Sequence, residues 1–160
     1  MSSADFEREC ADFFAEIVTV FGAPPSVGQI YGVVFASPRP LSFTDIVERL
    51  DISKGSASQG LKFLRDLGAV RSAEVADDRR EYFAAELSLR RLVDGALRER
   101  IGPFVKGAPA RIIRLQQLAE RSGPAKEFCI EQVEQLETWR RRFKVAIPLL
   151  SALLGPKRRG

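Results

Sequence analysis

Between Ser53 and Lys62 the sequence carries polar and cationic side chains at positions that share one face of a predicted helix. At about 100° per residue, that face holds only small, polar or cationic residues, namely Lys54, Gly55, Ser58, Gln59 and Lys62. Amide and hydroxyl groups can bond to base edges, lysines can neutralise phosphates, and short side chains permit close approach. Such a face suits a helix that enters the major groove of DNA, although a helical hairpin with a solvated outer side would fit it as well.

A charged hairpin is predicted directly after this helix. Residues 70–75 and 80–85 have the composition of two short strands, joined at Ala76-Asp77-Asp78. A hairpin in this place is a wing, and arginines at its tip can reach an adjacent minor groove or phosphates. We expect Asp77 or Asp78 to hold one arginine in a charge-assisted hydrogen bond while the other extends. The predicted DNA-binding residues are therefore Ser53, Lys54, Gly55, Ser56, Ser58, Gln59, Lys62, Arg79 and Arg80.

Two helices joined by a tight turn must position the polar face. Ser42 is placed to cap the first helix, with Asp45 three residues later in a capping-box arrangement. Ser53 can cap the second helix, after a break at residues 51–53. The inward positions of that second helix are predicted from their spacing to be Ala57, Leu61, Leu64 and Gly68.

Three segments of this region resemble the MarR-type winged-helix regulators, specifically the branch named for the glycine-betaine-synthesis repressor GbsR. They read ISKGSAS at 52–58, LGAV at 67–70 and DRREY at 78–82, within a similarity that extends over residues 25–100. The resemblance implies a dimeric, DNA-binding transcription factor, with small quaternary ammonium effectors such as choline in some relatives. An aromatic cage could bind such a cation. The available aromatics are Tyr31, Phe104, Phe128, Trp139 and Phe143, which at helical spacing are more often core, and none is assigned to a ligand.

Apolar stripes are predicted at both ends of the chain. A helix over residues 5–21 repeats apolar residues at steps of three and four, at Phe6, Cys10, Phe13, Ile17 and Val20 or Phe21. The next helix, before Pro38, is nearly all apolar and should be the buried spine of the fold. After the wing we expect a helix capped by Ser88 that breaks at Gly102-Pro103, and a short helix over 108–122.

The last helix carries a seven-residue repeat that only Arg140 interrupts. Its positions are Cys129, Val133, Leu136, Arg140, Phe143, Ile147, Leu150 and Leu154. Together with the N-terminal stripe, this is more apolar surface than a winged helix of this size needs. We expect the surplus to be buried against a second copy of the chain, with an intramolecular helical cap as the alternative.

The predicted fold is mainly α: a winged helix-turn-helix with a two-stranded β wing, flanked by N- and C-terminal dimerisation helices. Its parts are an N-terminal helix at 1–25, a DNA-binding domain at 26–101, a C-terminal helical dimerisation region at 102–155 and a basic tail at 156–160. The tail and the run Arg140-Arg141-Arg142 are given no DNA role, because most such charge runs are solvated.

Composition excludes several other classes of protein. The chain has 160 residues, a net charge of +4 and no histidine, so histidine-based triads and histidine-ligated metal sites are excluded. We find no nucleophile-base pair or glycine-rich phosphate loop, and we expect no enzyme, no cofactor and no metal. Cys10 and Cys129 lack a CxxC spacing and are predicted to be small core side chains, with a redox switch as the alternative. The apolar run at 145–154 is too short to cross a membrane, and a cytoplasmic protein is expected.

The sequence thus predicts a sequence-specific transcriptional regulator, a repressor by its resemblance, that binds a double-stranded DNA operator as a homodimer. A small-molecule effector of unknown identity is a further expected partner. The alternative is a winged-helix module for protein-protein assembly, since a fold does not determine a function. An assembly surface would carry an aromatic or leucine anchor on the outer face of residues 53–62. This face carries lysine, glycine, serine and glutamine instead.

Overall fold

The computed structural model of the chain describes residues 3–154, which form two compact units. The N-terminal unit ends at Gly95 and the C-terminal unit begins at Ala96, six residues before the boundary predicted from the sequence. The physical reason is packing, because Leu92 lies against the N-terminal core and Gly95 lies against the carbonyl of Leu67. The basic tail predicted at 156–160 lies outside the described residues.

The N-terminal unit contains five helices and three strands in the described range. They are α1 (Ser3–Val20), α2 (Pro25–Ala36), β1 (Leu41–Ser42), α3 (Phe43–Leu50), α4 (Lys54–Asp66), β2 (Val70–Val75), β3 (Asp78–Ala85) and α5 (Leu89–Ala96). Helix α2 is the buried spine that its apolar sequence predicted, with Ile30 fully buried and Val33 and Val34 nearly so. Leu61 and Leu64 of α4 and Phe83 of β3 belong to the same core.

The sheet has three antiparallel strands in the order β1-β3-β2, where the sequence predicted a two-stranded wing. The additional strand is the pair Leu41–Ser42, which lies opposite Phe83 and Tyr82 of β3. A two-residue strand has no alternation that could be recognised in a sequence, and only its distant partner makes it one. The wing itself turns at Ala76 and Asp77, and β3 already begins at Asp78.

Helices α1 and α2 pack closely because Gly28 has no side chain. A Cβ atom built at Gly28 would overlap the backbone carbonyl of Phe14, so any larger residue forces the two helices apart. Ala11 is buried and Phe14 half-buried on this inner side of α1. In contrast, Phe6 and Phe13 of the predicted apolar stripe are 57% and 56% exposed, so the stripe faces outward from its own unit.

The C-terminal unit is a helical hairpin. It consists of a π-helical turn (Leu97–Ile101), helix α6 (Gly102–Glu120), a short 3₁₀ turn (Gly123–Ala125) and helix α7 (Lys126–Leu153). Ile112 and Ala119 of α6 are buried with Val133 of α7, and Cys129 and Ile130 pack against them. Both Cys129 and Cys10 are half-buried free thiols. None of the helices within residues 3–154 combines the length and the apolarity that crossing a membrane requires.

The predicted break at Gly102-Pro103 is wrong. The helical backbone continues from the π turn into α6, which starts at Gly102 instead of residue 108 and contains Pro109. Pro103 lies in the first turn of α6, where the fixed φ of proline fits the helical backbone.

Candidate nucleic-acid interface

Side-chain caps set the start of both helices in the helix-turn-helix. Ser42 Oγ accepts a hydrogen bond from the Asp45 backbone N–H at 3.2 Å, and the Ser42 N–H donates to Asp45 Oδ2 at 2.9 Å. The Ser42 hydroxyl also donates to Asp45 Oδ2 at 2.7 Å, and this bond together with that from the Ser42 N–H lowers the pKa of the Asp45 carboxyl. At the start of α4, Ser53 Oγ accepts from the backbone N–H of Ser56 at 3.1 Å. Both predicted caps are therefore confirmed.

Helix α4 has the two faces that its sequence predicted, with one correction. Ala57, Leu61 and Leu64 are buried against the core. The fourth predicted inward position, Gly68, lies beyond the helix in a turn with a φ of 69°, because the chain must leave α4 through a left-handed residue that glycine adopts without strain. Gly60 is instead the additional buried residue of α4. The outward face is exposed as predicted, with Lys54, Gly55, Ser58, Gln59 and Lys62.

Three of the DNA-binding residues predicted on α4 and at its cap already have partners within the chain. Ser53 and Ser56 belong to the cap, and their hydroxyl oxygens are 3.0 Å apart, so these side chains orient the first turn of α4. Lys62 Nζ is 2.7 Å from Asp66 Oδ2. Both members of that pair are largely exposed, so the ion pair is weak and a phosphate can replace the aspartate.

At the wing tip the structure separates the two adjacent arginines. Arg80 donates to the Asp78 carboxylate through Nε and NH2, at distances from 2.7 to 3.1 Å, and to the Tyr82 hydroxyl at 2.7 Å. Tyr82 in turn donates to Asp78 Oδ2 at 2.6 Å. The hydrogen bonds from Arg80 and Tyr82 hold the pKa of Asp78 well below its usual range, so this carboxylate stays ionised and keeps the arginine in place. The prediction that one arginine is held by an aspartate is confirmed for Arg80.

Arg79 is the arginine that no aspartate holds. It is exposed, and no ion pair within residues 3–154 involves it. Because side chains alternate along a strand, Arg79 lies on the opposite face of β3 from Asp78, Arg80 and Tyr82 and on the same face as Glu81. The Arg79 guanidinium can thus turn freely toward a partner, whereas Arg80, whose side chain is 62% exposed, is fixed in direction and keeps only NH1 outside the bonds given above.

An ion pair that was not predicted from the sequence joins the wing to α4. Arg65 NH1, in the last turn of α4, is 2.8 Å from Glu81 Oε1 of β3. The same oxygen accepts a hydrogen bond from Ser72 Oγ of β2 at 3.0 Å. The two charged residues are sixteen positions apart, and no local pattern marks such a pair.

Three of the five aromatic residues considered for a ligand cage converge in the C-terminal unit. Phe104, Trp139 and Phe143 line one apolar cavity of about 1000 Å³ between α6 and α7. Its charged lining residues are all cationic, namely Arg111, Arg140 and Lys144. Tyr31 has a structural role instead, because it is buried and its hydroxyl donates to the Glu86 carbonyl at 2.6 Å.

The comparisons with known proteins agree with this geometry. A family model described as the MarR family matches residues 33–81, from the second half of α2 into β3. The HTH-type transcriptional repressor GbsR of Bacillus subtilis (strain 168) is 33% identical over 75 residues, which are 47% of this chain and 41% of the repressor. The similarity thus spans less than half the length of that relative. The resemblance to MarR-type regulators is confirmed for the winged-helix segment.

A solved structure supports the fold of nearly the whole chain. The crystal structure of a transcriptional regulator superimposes with a TM-score of 0.62 over 93% of this chain and 95% of that one, at 22% identity. The predicted winged-helix fold is confirmed, with β1 as an additional strand. MarR-family proteins and the GbsR repressor are transcription factors. The prediction that the chain is not an enzyme is therefore confirmed.

Proposed function

We propose that this chain, whose winged-helix segment is MarR-like, is a sequence-specific DNA-binding repressor of transcription that acts in the cytoplasm as a homodimer. The observation that supports the proposal most is the exposed outer face of α4, which is small, polar and cationic while its inner face is buried. In the proposed complex α4 enters the major groove, and Arg79 reaches the adjacent minor groove or backbone. Selection of bound fragments from random DNA, followed by sequencing, tests the proposal directly. Recovery of no common motif would contradict it.

The alternative of a protein-protein assembly module is less well supported. Such surfaces are anchored by aromatic or large apolar side chains that fill pockets of the partner. The outer face of α4 offers none, because its exposed residues are lysine, glycine, serine and glutamine.

Two substitutions on α4 should separate base recognition from phosphate binding. We expect Gln59→Ala to cost about 1 to 3 kcal/mol on the selected operator and to relax the preference at one position of each half-site, because an amide bonds to a base edge. Lys62→Ala should lower the affinity for all DNA sequences alike. It should also reduce the slope of log affinity against log salt concentration, here called the salt slope, by about 0.9 per lost phosphate contact in each subunit. Binding titrations at several salt concentrations measure both effects.

The matched control for Lys62 is Lys106→Ala, which removes the same charge from an exposed position on α6. It should change neither the base preference nor the salt slope by a comparable amount. If both α4 variants kept the wild-type preference and salt slope, α4 would not be the recognition helix.

Replacing Arg79 tests the wing. We expect Arg79→Ala to weaken operator binding by about 1 to 3 kcal/mol with little change in melting temperature, because an exposed arginine with no ion-pair partner among residues 3–154 contributes little to folding. Arg79→Lys should restore only part of the affinity, since lysine lacks the planar fork of donors. Fluorescence-anisotropy titration measures the affinity, with Arg121→Ala as a control at another exposed arginine. Wild-type affinity in Arg79→Ala would remove this side chain from the interface.

The proposal also includes a small-molecule effector that binds the cavity of the C-terminal unit. The wall of this cavity includes Leu136, Phe143, Ile147 and Leu150 of the α7 repeat, so in the proposed dimer the second copy would lie over the effector site. Phe104, Trp139 and Phe143 offer aromatic faces there, as a cage for a quaternary ammonium ion requires. Arg140 at this cavity is paired with Glu137, but Arg111 and Lys144 are cations with no ion-pair partner among residues 3–154, and like charges repel a cationic ligand in an apolar environment. An apolar effector that is neutral or anionic therefore fits this lining better than a quaternary ammonium ion.

A further inference from the structure

The Glu81 carboxylate connects three elements of the N-terminal unit. Glu81 itself lies on β3, and its Oε1 atom accepts from Arg65 NH1 at 2.8 Å and from Ser72 Oγ at 3.0 Å. Arg65 belongs to the last turn of α4, and Ser72 belongs to β2. A single oxygen atom thus joins the end of the proposed recognition helix to both strands of the wing.

Folding stability does not explain this arrangement. The side chains of Arg65 and Glu81 are 48% and 49% exposed, and exposed ion pairs contribute little to the free energy of unfolding. DNA attraction does not explain it either, because a carboxylate on a wing close to phosphates opposes binding through its charge. The remaining physical effect is geometric, since these bonds restrict the angle between the wing and α4.

That angle matters for Arg79 in particular. Arg79 precedes Glu81 by two residues and therefore projects from the same face of β3. Any rotation of the wing about α4 displaces the Arg79 guanidinium relative to the exposed residues of α4. A wing that is already oriented loses less conformational freedom when both surfaces bind one DNA molecule.

We propose that Glu81 is a positioning residue that holds the wing at a defined orientation to α4, so that Arg79 and α4 engage DNA together. The inference rests on the proposed function, and it adds a residue that itself makes no DNA contact. It assigns a role in DNA binding to a side chain whose charge alone would weaken binding.

The test depends on whether removal of the Glu81 carboxylate lowers or raises operator affinity. If Glu81 positions the wing, Glu81→Ala lowers operator affinity by roughly tenfold through lost preorganisation, whereas simple electrostatics predicts an increase. The control is Glu74→Ala, which removes the same charge from an exposed position on β2 that has no ion-pair partner in the described part of the chain. This control should bind as tightly as wild type or more tightly. Ser72→Ala leaves the charge in place and should lower affinity by a smaller factor.

A double-mutant cycle shows whether Glu81 acts through Arg79. In the Arg79→Ala background, Glu81→Ala should leave operator affinity unchanged or raise it slightly, because the contact that it positions is already absent and only its repulsive charge is lost. Wild-type or higher affinity in Glu81→Ala, or full additivity of the two substitutions, would overturn the inference while the proposed function stands. If the wild-type protein selected no DNA, the proposed function itself would fail and the inference with it.

Discussion

Replacing Leu136 or Ile147 by glutamate is expected to convert a dimer into a monomer and to weaken operator binding by about 100-fold or more. Both residues belong to the seven-residue repeat of α7, whose Phe143 and Leu150 are 63% and 49% exposed in a single copy. A monomer rarely leaves a stripe of this kind open to water. A glutamate in a dimer seam would be an unpaired charge in apolar surroundings. A monomer also binds only one half-site and loses the gain in affinity that comes from linking two binding domains.

Analytical ultracentrifugation measures the oligomeric state, and anisotropy titration measures the DNA affinity. The matched control is Gln135→Glu, which adds the same charge at an exposed position of α7 outside the apolar repeat. It should remain dimeric and bind DNA normally. A Leu136→Glu protein that stays dimeric but melts markedly earlier would show that the stripe is part of the core of each chain.

The second large effect is expected at Gly28, where α1 and α2 meet. A Cβ atom at this position would overlap backbone atoms of Phe14 and Ala15. Backbone atoms within a helix cannot move away as the end of a flexible side chain can. We expect Gly28→Ala to lower the free energy of unfolding by about 3 kcal/mol, the upper part of the usual range for overpacking. Because α2 is the spine beneath the helix-turn-helix, operator binding should fall together with the melting temperature.

Gly55→Ala is the control for this effect, measured by the same denaturant titration. A Cβ atom at Gly55 would meet only the Ser53 hydroxyl oxygen, at 3.8 Å. In the first turns of α4 an alanine should therefore leave the free energy of unfolding unchanged or raise it by about 0.4 to 1 kcal/mol, because alanine lowers the conformational entropy of the unfolded chain. Equal stability of the Gly28 and Gly55 variants would show that α1 and α2 can separate at no cost.

Local spacing in the sequence determined much of the proposed DNA-binding surface. Ser42 and Asp45 form their capping box because both lie within one turn of the same backbone. The buried residues Ala57, Leu61 and Leu64 recur with the helical period, so the opposite face of α4 follows from the same period. In each case, the interacting groups are three or four residues apart, and their distance depends on the helix alone.

Only the tertiary structure decided the features that depend on distant partners. Leu41–Ser42 is a strand because β3 lies beside it, and Glu81 faces Arg65 because the wing folds back on the end of α4. The sequence left open which aspartate holds which arginine, and the turn at Ala76-Asp77 selected Asp78 and Arg80 by placing them on one face of β3. The physical reason is that periodicity defines the faces of a helix or strand, whereas long-range packing determines which face meets which partner.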